Sequence, residues 1–279
     1  MLPHATAILL FDLDGVVRDV SASYRRAIQA TVRHYSGWTP EESLIDALKG
    51  EGRWNNDWLA SLELLRRRSV LANEHGSEVF ELPSLAELTR IFSGFYFGAD
   101  PGGPSDQWTG FIRDEPLLVD GDFFTDLTRE GVAWGFVSGA EPPSARFLLE
   151  SRLGLVDPPL VAMGEAPDKP DPTGLLRLAG RLASDRGQTL GPQGPPVAYL
   201  GDTVADIETV RQARLRRPDV PWLALAVAPP HLHASERLRQ RNAYEERLLA
   251  AGADHLLNST AALRGRVLEV FTALLAQQG

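Results

Sequence analysis

The chain has 279 residues, 43% of them hydrophobic and 23% charged, which suits a soluble globular protein with one generous domain or a domain carrying an insertion. Its net charge of −9 argues against a nucleic-acid partner held by counterion release, but not against a small anionic ligand held by local donors and cations. With no cysteine there is no disulfide framework, thiolate chemistry or Cys-based zinc site, which fits a cytoplasmic protein.

In chain order, "MLPHATAILLFDLDG" has no basic leader, and its apolar run stops at Asp12, so neither a signal peptide nor a membrane span is expected. Ala5–Phe11 has the continuous apolar character of a strand covered on both faces. From about Arg18 to Asp114 the pattern turns helical ("SYRRAIQATVRHYSG", "PEESLIDALKG", "NNDWLASLELLRRRSVLANEHG", "PSLAELTRIFSGFYFG") and shows no buried strand. Further strand-like runs follow at Val132–Val137, Val197–Leu200 and Trp222–Val227, with a shorter one in "LVAMG". Segments of helical period ("FFTDLTREG", "PPSARFLLESRLG", "PTGLLRLAGRLASDRG", "ADIETVRQARL") lie between them. Such alternation predicts an α/β fold with a parallel sheet covered by helices on both faces. The predicted organisation is therefore a sheet domain from 1–17 and 115–279, interrupted by a helical domain at 18–114. Linkers fall near Arg18–Ser21 and Phe111–Pro116. "RGQTLGPQGPP" reads as a surface loop. Residues 229–254 hold a charged helix at the sheet edge where ligands bind; it reads as a solvated helix, an oligomer contact or a border of the site.

Four short stretches follow the apolar runs: Asp12 and Asp14 in "FDLDGVV", Ser138 and Gly139 in "VSGA", Lys169 in "DKPDP", Asp202 and Asp206 in "LGDTVADIE". In a parallel sheet these strand ends open on one edge, gathering four acids, a hydroxyl and an ammonium. Those groups suit phosphoryl transfer from a small phosphate ester, because Mg²⁺ takes oxygen ligands and a carboxylate can act as nucleophile. Asp12 is assigned as nucleophile and metal ligand, and Asp14 as the acid and base that protonates the leaving alcohol and then activates water. Ser138 and the Gly139 N–H would hold phosphate oxygens, and Lys169 would neutralise charge on the phosphoryl group and Asp12. The metal set is Asp12, Asp14, Asp202 and Asp206, with Asp206 a direct or a supporting ligand. Any one stretch alone reads as an ordinary turn, cap or loop; their order and spacing carry the signal.

Taken together, these stretches resemble the four signature motifs of the haloacid dehalogenase-like hydrolases, and the helical insertion is similar to that family's C1-type α-helical cap. The resemblance implies a Rossmann-like core, an aspartyl-phosphate mechanism dependent on Mg²⁺, and a cap that closes over the substrate. The dehalogenases of the family lack the second aspartate of the first motif and use no metal, so Asp14, Asp202 and Asp206 argue for a phosphatase or a phosphomutase. Lysine is rare here: Lys49 and Lys169 are the only two in the chain. "LKGEGR" is similar to the Leu-Lys-Gly-x-Ser-Arg stretch of β-phosphoglucomutases and related phosphatases, with Leu48, Lys49, Gly50 and Arg53 matching and Gly52 in place of serine. By that likeness Lys49 and Arg53 would meet the leaving group. "RWNNDW" then offers two indoles and two amides either to a polyol or to packing inside the cap. Mutases carry a hinge histidine where this chain has Tyr24, and a fourth motif beginning Glu-Asp, whereas Gly201, Asp202 and Asp206 match the phosphoglycolate-phosphatase type. The expectation is a phosphatase acting on a small phosphomonoester. A sugar phosphomutase and a catalytically silent binding protein are the rival readings.

Overall fold

The computed structural model describes residues 4–51, 53–54, 56–74 and 80–278. Gly52 and Asn55, from the sequence stretch that contains Arg53, lie outside them. The chain forms two compact units, one from the residues up to Asp19 and from Pro116 onward, the other from Val20 to Glu115.

The first unit is a six-stranded parallel sheet ordered β3-β2-β1-β4-β5-β6. Its strands are β1 (Ala7–Phe11), β2 (Val132–Val137), β3 (Leu160–Val161), β4 (Val197–Gly201), β5 (Trp222–Val227) and β6 (His255–Leu257). β1, β4 and β5 are buried along their whole length, as their unbroken apolar sequences require. Successive side chains serve opposite faces. Leu9 and Phe11 join Phe123, Phe124 and Phe136 in one core, while Ile8 and Leu10 join Leu175, Tyr199 and Trp222 in the other. Each such side chain stabilises the sheet by roughly 1.5–3 kcal/mol through burial. The strand order reverses beside β1: β2 and β3 extend to one side and β4 to β6 to the other. Ligand crevices of open α/β sheets lie at such a reversal, outside the carboxyl ends of the strands.

Helices α1 (Ser21–Ser36), α2 (Glu42–Gly50), α3 (Asp57–Glu74) and α4 (Leu85–Phe97) form the second unit. α1 packs against both α3 and α4. Gly37 closes α1 and Gly98 closes α4, each with positive φ, and the Ser84 side chain caps the start of α4. The sheet is flanked by α5 (Gly121–Arg129), α6 (Pro142–Arg146), α7 (Thr173–Ser184), α8 (Val204–Arg216), α9 (Leu238–Ala250) and α10 (Val267–Gln278). Among the described residues no helix is long and apolar enough to cross a membrane.

Candidate active site

Asp12 follows directly on β1, and its N–H donates to Leu200 of the neighbouring β4 (2.9 Å), which places it at the reversal point. Lys169 bridges two acids there: its Nζ lies 2.9 Å from Asp12 Oδ2 and 2.6 Å from Asp206 Oδ1. Tyr199, from β4, braces the bridge. Its hydroxyl donates to the Val137 carbonyl (2.7 Å) and lies 3.3 Å from Lys169 Nζ, which can donate to it. The remaining oxygen of Asp206 accepts from the Thr203 N–H (2.9 Å) and hydroxyl (2.6 Å), while Thr203 Oγ1 accepts from the Asp206 N–H, a capping box that starts α8. Both oxygens of Asp206 are thus engaged by protein donors.

Asp202 differs. Its carboxylate is buried, yet accepts no hydrogen bond among the described residues, and one of its oxygens comes within 4.8 Å of oxygens of Asp12 and Asp206. Two glycines make room for this packing. A Cβ on Gly15, whose φ is +75°, would lie 2.1 Å from Asp202 Oδ2, and one on Gly201 would lie 2.2 Å from the Asp206 Cβ. Any side chain at either position displaces an acid.

Three buried carboxylates share one ammonium, and the titration behaviour follows from that imbalance. Burial lifts the Asp12 carboxyl to about 6, with Lys169 opposing and the charges of Asp206 and Asp14 adding to the rise. Burial, then Asp206 and Asp12, push Asp202 well above the carboxylate range. Burial would lift Asp206 as well, but the Lys169 charge and the hydrogen bonds from Lys169 and Thr203 outweigh it and hold Asp206 low. Lys169 is held well above its ordinary value, because the charges of Asp12 and Asp206 overcome its own burial. A hard divalent cation fits this donor set, which offers carboxylate oxygens, excess negative charge and an undonated Asp202. Asp12 and Asp202 are the side chains placed to hold it, with Asp206 as their support.

Of the seven core residues read from sequence, Asp12, Lys169, Asp202 and Asp206 come together in this cluster. Ser138 and Gly139 follow β2 and line, with Lys169, a hollow of about 280 Å³; Ser138 is buried and its hydroxyl accepts from the Ala140 N–H. Asp14, expected among the metal-binding side chains, is not in the three-acid group. The chain turns at Gly15, and the Asp14 carboxylate pairs with Arg18 Nε at 2.7 Å instead. Arg18, read from sequence as linker, is 1% exposed and also donates to Ser144 Oγ (2.9 Å). In the helical unit, Lys49 occupies the last turn of α2 with its Nζ 2.5 Å from Asp57 Oδ1. Arg53 is exposed, 3.4 Å from Glu51 and over the Trp54 ring.

Sequence reasoning missed Tyr199, which is hidden in the apolar run "VAYL", and Thr203 as a partner of Asp206. It also missed Tyr244, on α9 within the charged segment 229–254, whose hydroxyl donates to the Asp202 backbone carbonyl at 3.0 Å. That segment therefore does border the site.

A family model described as haloacid dehalogenase-like hydrolase matches residues 6–214. A protein of Phytophthora nicotianae named imidazoleglycerol-phosphate dehydratase is 30% identical over 234 residues, and the chain spans only 45% of its length, with 83% of this chain covered. Among solved structures, phosphatase Tt82 from Thermococcus thioreducens shares 22% identity at a TM-score of 0.55, covering 78% of this chain and 92% of that one. A predicted phosphoglycolate phosphatase from Haemophilus somnus shares 14% at 0.59, covering 95% and 97%. These two structures show likeness of fold.

Proposed function

Because the chain belongs to the haloacid dehalogenase-like hydrolases, we propose that it is a Mg²⁺-dependent phosphatase of small phosphomonoesters, working through an aspartyl-phosphate on Asp12. The observation that supports this most is the buried Asp12–Lys169–Asp206 bridge beside an Asp202 carboxylate that receives no hydrogen bond. Asp12 attacks the phosphorus, and the ester P–O bond breaks as the new Asp12 O–P bond forms. Asp14 gives its proton to the departing alkoxide, yielding the free alcohol. Asp14 then takes a proton from water as that water attacks the phosphorus, which releases inorganic phosphate and restores Asp12. For both proton transfers Asp14 must exchange its contact with Arg18 for one with substrate or water. Lys169 stays beside Asp12 and favours its ionised form, and meets the charge that builds on the phosphoryl oxygens. Ser138 and the Gly139 N–H take the other oxygens. When bound, Mg²⁺ neutralises phosphate and carboxylate charge at Asp12 and Asp202.

With Tyr24 at the hinge position where mutases keep a histidine, phospho-Asp12 is open to water, and hydrolysis is favoured over transfer to a second hydroxyl. A screen for phosphate release over a panel of metabolite phosphates, with and without Mg²⁺, tests this reading. The Phytophthora relative's name puts imidazoleglycerol phosphate in the panel. Dehydration of that compound would leave its ester intact and release no phosphate. Release from at least one ester, dependent on Mg²⁺ and lost in Asp12→Asn, is the expected outcome. A panel without any release would sink it.

A further inference from the structure

The helical unit carries a second concave site that the proposed hydrolysis does not use. It is a hollow of about 560 Å³ lined by Arg26, Gln29, Arg33 and His34 of α1, Thr39 just beyond it, Phe95 of α4, and Phe111. That volume lies within the range of small-molecule sites. Residues 20–115 hold fourteen Asp and Glu against ten Lys and Arg, yet among the described residues no carboxylate lines the hollow. The lining is therefore positive through Arg33, against the balance of the unit, even with Arg26 paired to Asp114 beside it.

The three basic residues fall on one face of α1, at i, i+7 and i+8. Arg26 and Arg33 are separated by about 10 Å along the axis, from a rise of 1.5 Å per residue. Arg26 is fixed in advance: its guanidinium stacks over Phe111 at 4.1 Å and pairs with Asp114 at 2.9 Å. That stacking and pairing reduce the ordering cost of a further contact. Arg33 and His34, by contrast, have no ion-pair partner among the described residues. They sit in the last turn of α1, where the helix dipole favours cations, so the dipole accounts for their presence in the helix. It does not account for a hollow whose lining, among the described residues, holds two phenyl rings and no carboxylate, Asp114 standing outside it beside Arg26. His34 meets Phe95 edge-on, with centroids 6.3 Å apart. Gln29 and Thr39 add neutral hydrogen-bonding groups between the cations.

We infer that this hollow binds a small organic anion with a planar ring and at least two negative charges, of nucleoside-phosphate size, at a site separate from the acid cluster. The guanidiniums take the acidic groups by charge-assisted hydrogen bonds, and the Phe95 ring takes the planar body, Phe111 being stacked against Arg26.

The test uses the full chain in EDTA with 1,5-naphthalenedisulfonate, a planar dianion with no ester to hydrolyse, followed by calorimetric titration and by the His34 ring signals in NMR. Saturable binding that shifts the His34 signals is expected. Arg33→Gln should weaken it about tenfold, the loss of one charge-assisted contact, and Arg26→Gln should do likewise. Both positions are exposed, and unchanged circular dichroism verifies that the variants fold. Lys169→Gln should leave probe binding as in the wild type, because Lys169 belongs to the acid cluster. Sulfate, which has the charge without the ring, should bind at least about tenfold more weakly. Absent binding, or binding indifferent to both arginine variants, would overturn the site. Loss of binding in Lys169→Gln would place the probe at the acid cluster instead and equally overturn it. Equal binding of sulfate would overturn the aromatic ligand class.

Discussion

Replacing Asp12 by Asn probes the charge imbalance of the cluster separately from catalysis. The folded Asp12 carboxyl sits at about 6 against an ordinary 3.8, chiefly because burial disfavours its charge. A carboxyl displaced upward holds its proton more tightly in the folded than in the unfolded chain. Its contribution therefore weakens as pH rises from about 3.8, and the loss is complete somewhat above 6. The displacement corresponds to about 3 kcal/mol, at 1.36 kcal/mol per tenfold change. The amide has no proton to lose. Asp202 titrates in both proteins, but the Asp12 charge helps to hold it high, so the replacement also eases Asp202 and adds to the difference in the same direction. In EDTA, the stability of Asp12→Asn relative to the wild type should rise by at least about 2.4 kcal/mol between about pH 4 and about pH 7.5, the part of that displacement that falls in this window. Urea unfolding followed by tryptophan fluorescence, with Trp134 and Trp222 in the sheet unit, measures it. Saturating Mg²⁺ at the higher pH should shrink the gap, because the cation stabilises the folded wild type in proportion to its occupancy. A difference that stays constant over this range, with or without Mg²⁺, would refute the reasoning.

Four other substitutions are informative. Lys169→Arg should cut kcat at least about a hundredfold on every ester, because a planar fork cannot sit between Asp12 and Asp206 as a compact ammonium does; wild-type kinetics there would show that the bridge is dispensable. Tyr244→Phe removes one hydrogen bond to the Asp202 carbonyl and should weaken Mg²⁺ binding about two- to tenfold, read by the thermal shift that Mg²⁺ produces as well as by activity; an unchanged Mg²⁺ titration would make the contact incidental. Lys49→Ala and Arg53→Ala should lower turnover of the best metabolite ester several-fold more than turnover of p-nitrophenyl phosphate, about one contact's worth; equal losses would mean that neither reads the leaving group.

What could be read from sequence follows from where its signals are local. β1, β4 and β5 are continuous apolar runs because both faces of each are covered, and the residues right after β1 and β4 inherit their place from the strand. β6 escaped: three residues at the sheet edge, only Leu257 buried, have no pattern apart from their pairing with β5. Spacing alone does not reveal the Arg18 contact of Asp14. A period of two sends it the same way as Asp12 only while the strand continues, and Gly15 ends it, leaving Arg18 four residues on as the partner. Tyr199 and Tyr244 reach the cluster through contacts 30 to 42 residues long in sequence, to Lys169 and to Asp202. No local pattern encodes these. Lys49 was singled out by its rarity and by a short likeness; its pairing with Asp57 joins α2 to α3 and depends on how those helices pack.

The most direct measurement is acid-quenched peptide mass spectrometry on Asp14→Asn given Mg²⁺ and p-nitrophenyl phosphate, whose leaving group departs without an acid. This variant lacks the base that activates water, so phospho-Asp12 should accumulate, with one phosphoryl group on the peptide containing Asp12. Phosphate release without any labelled peptide, or a label on Ser138 instead, would contradict nucleophilic attack by Asp12.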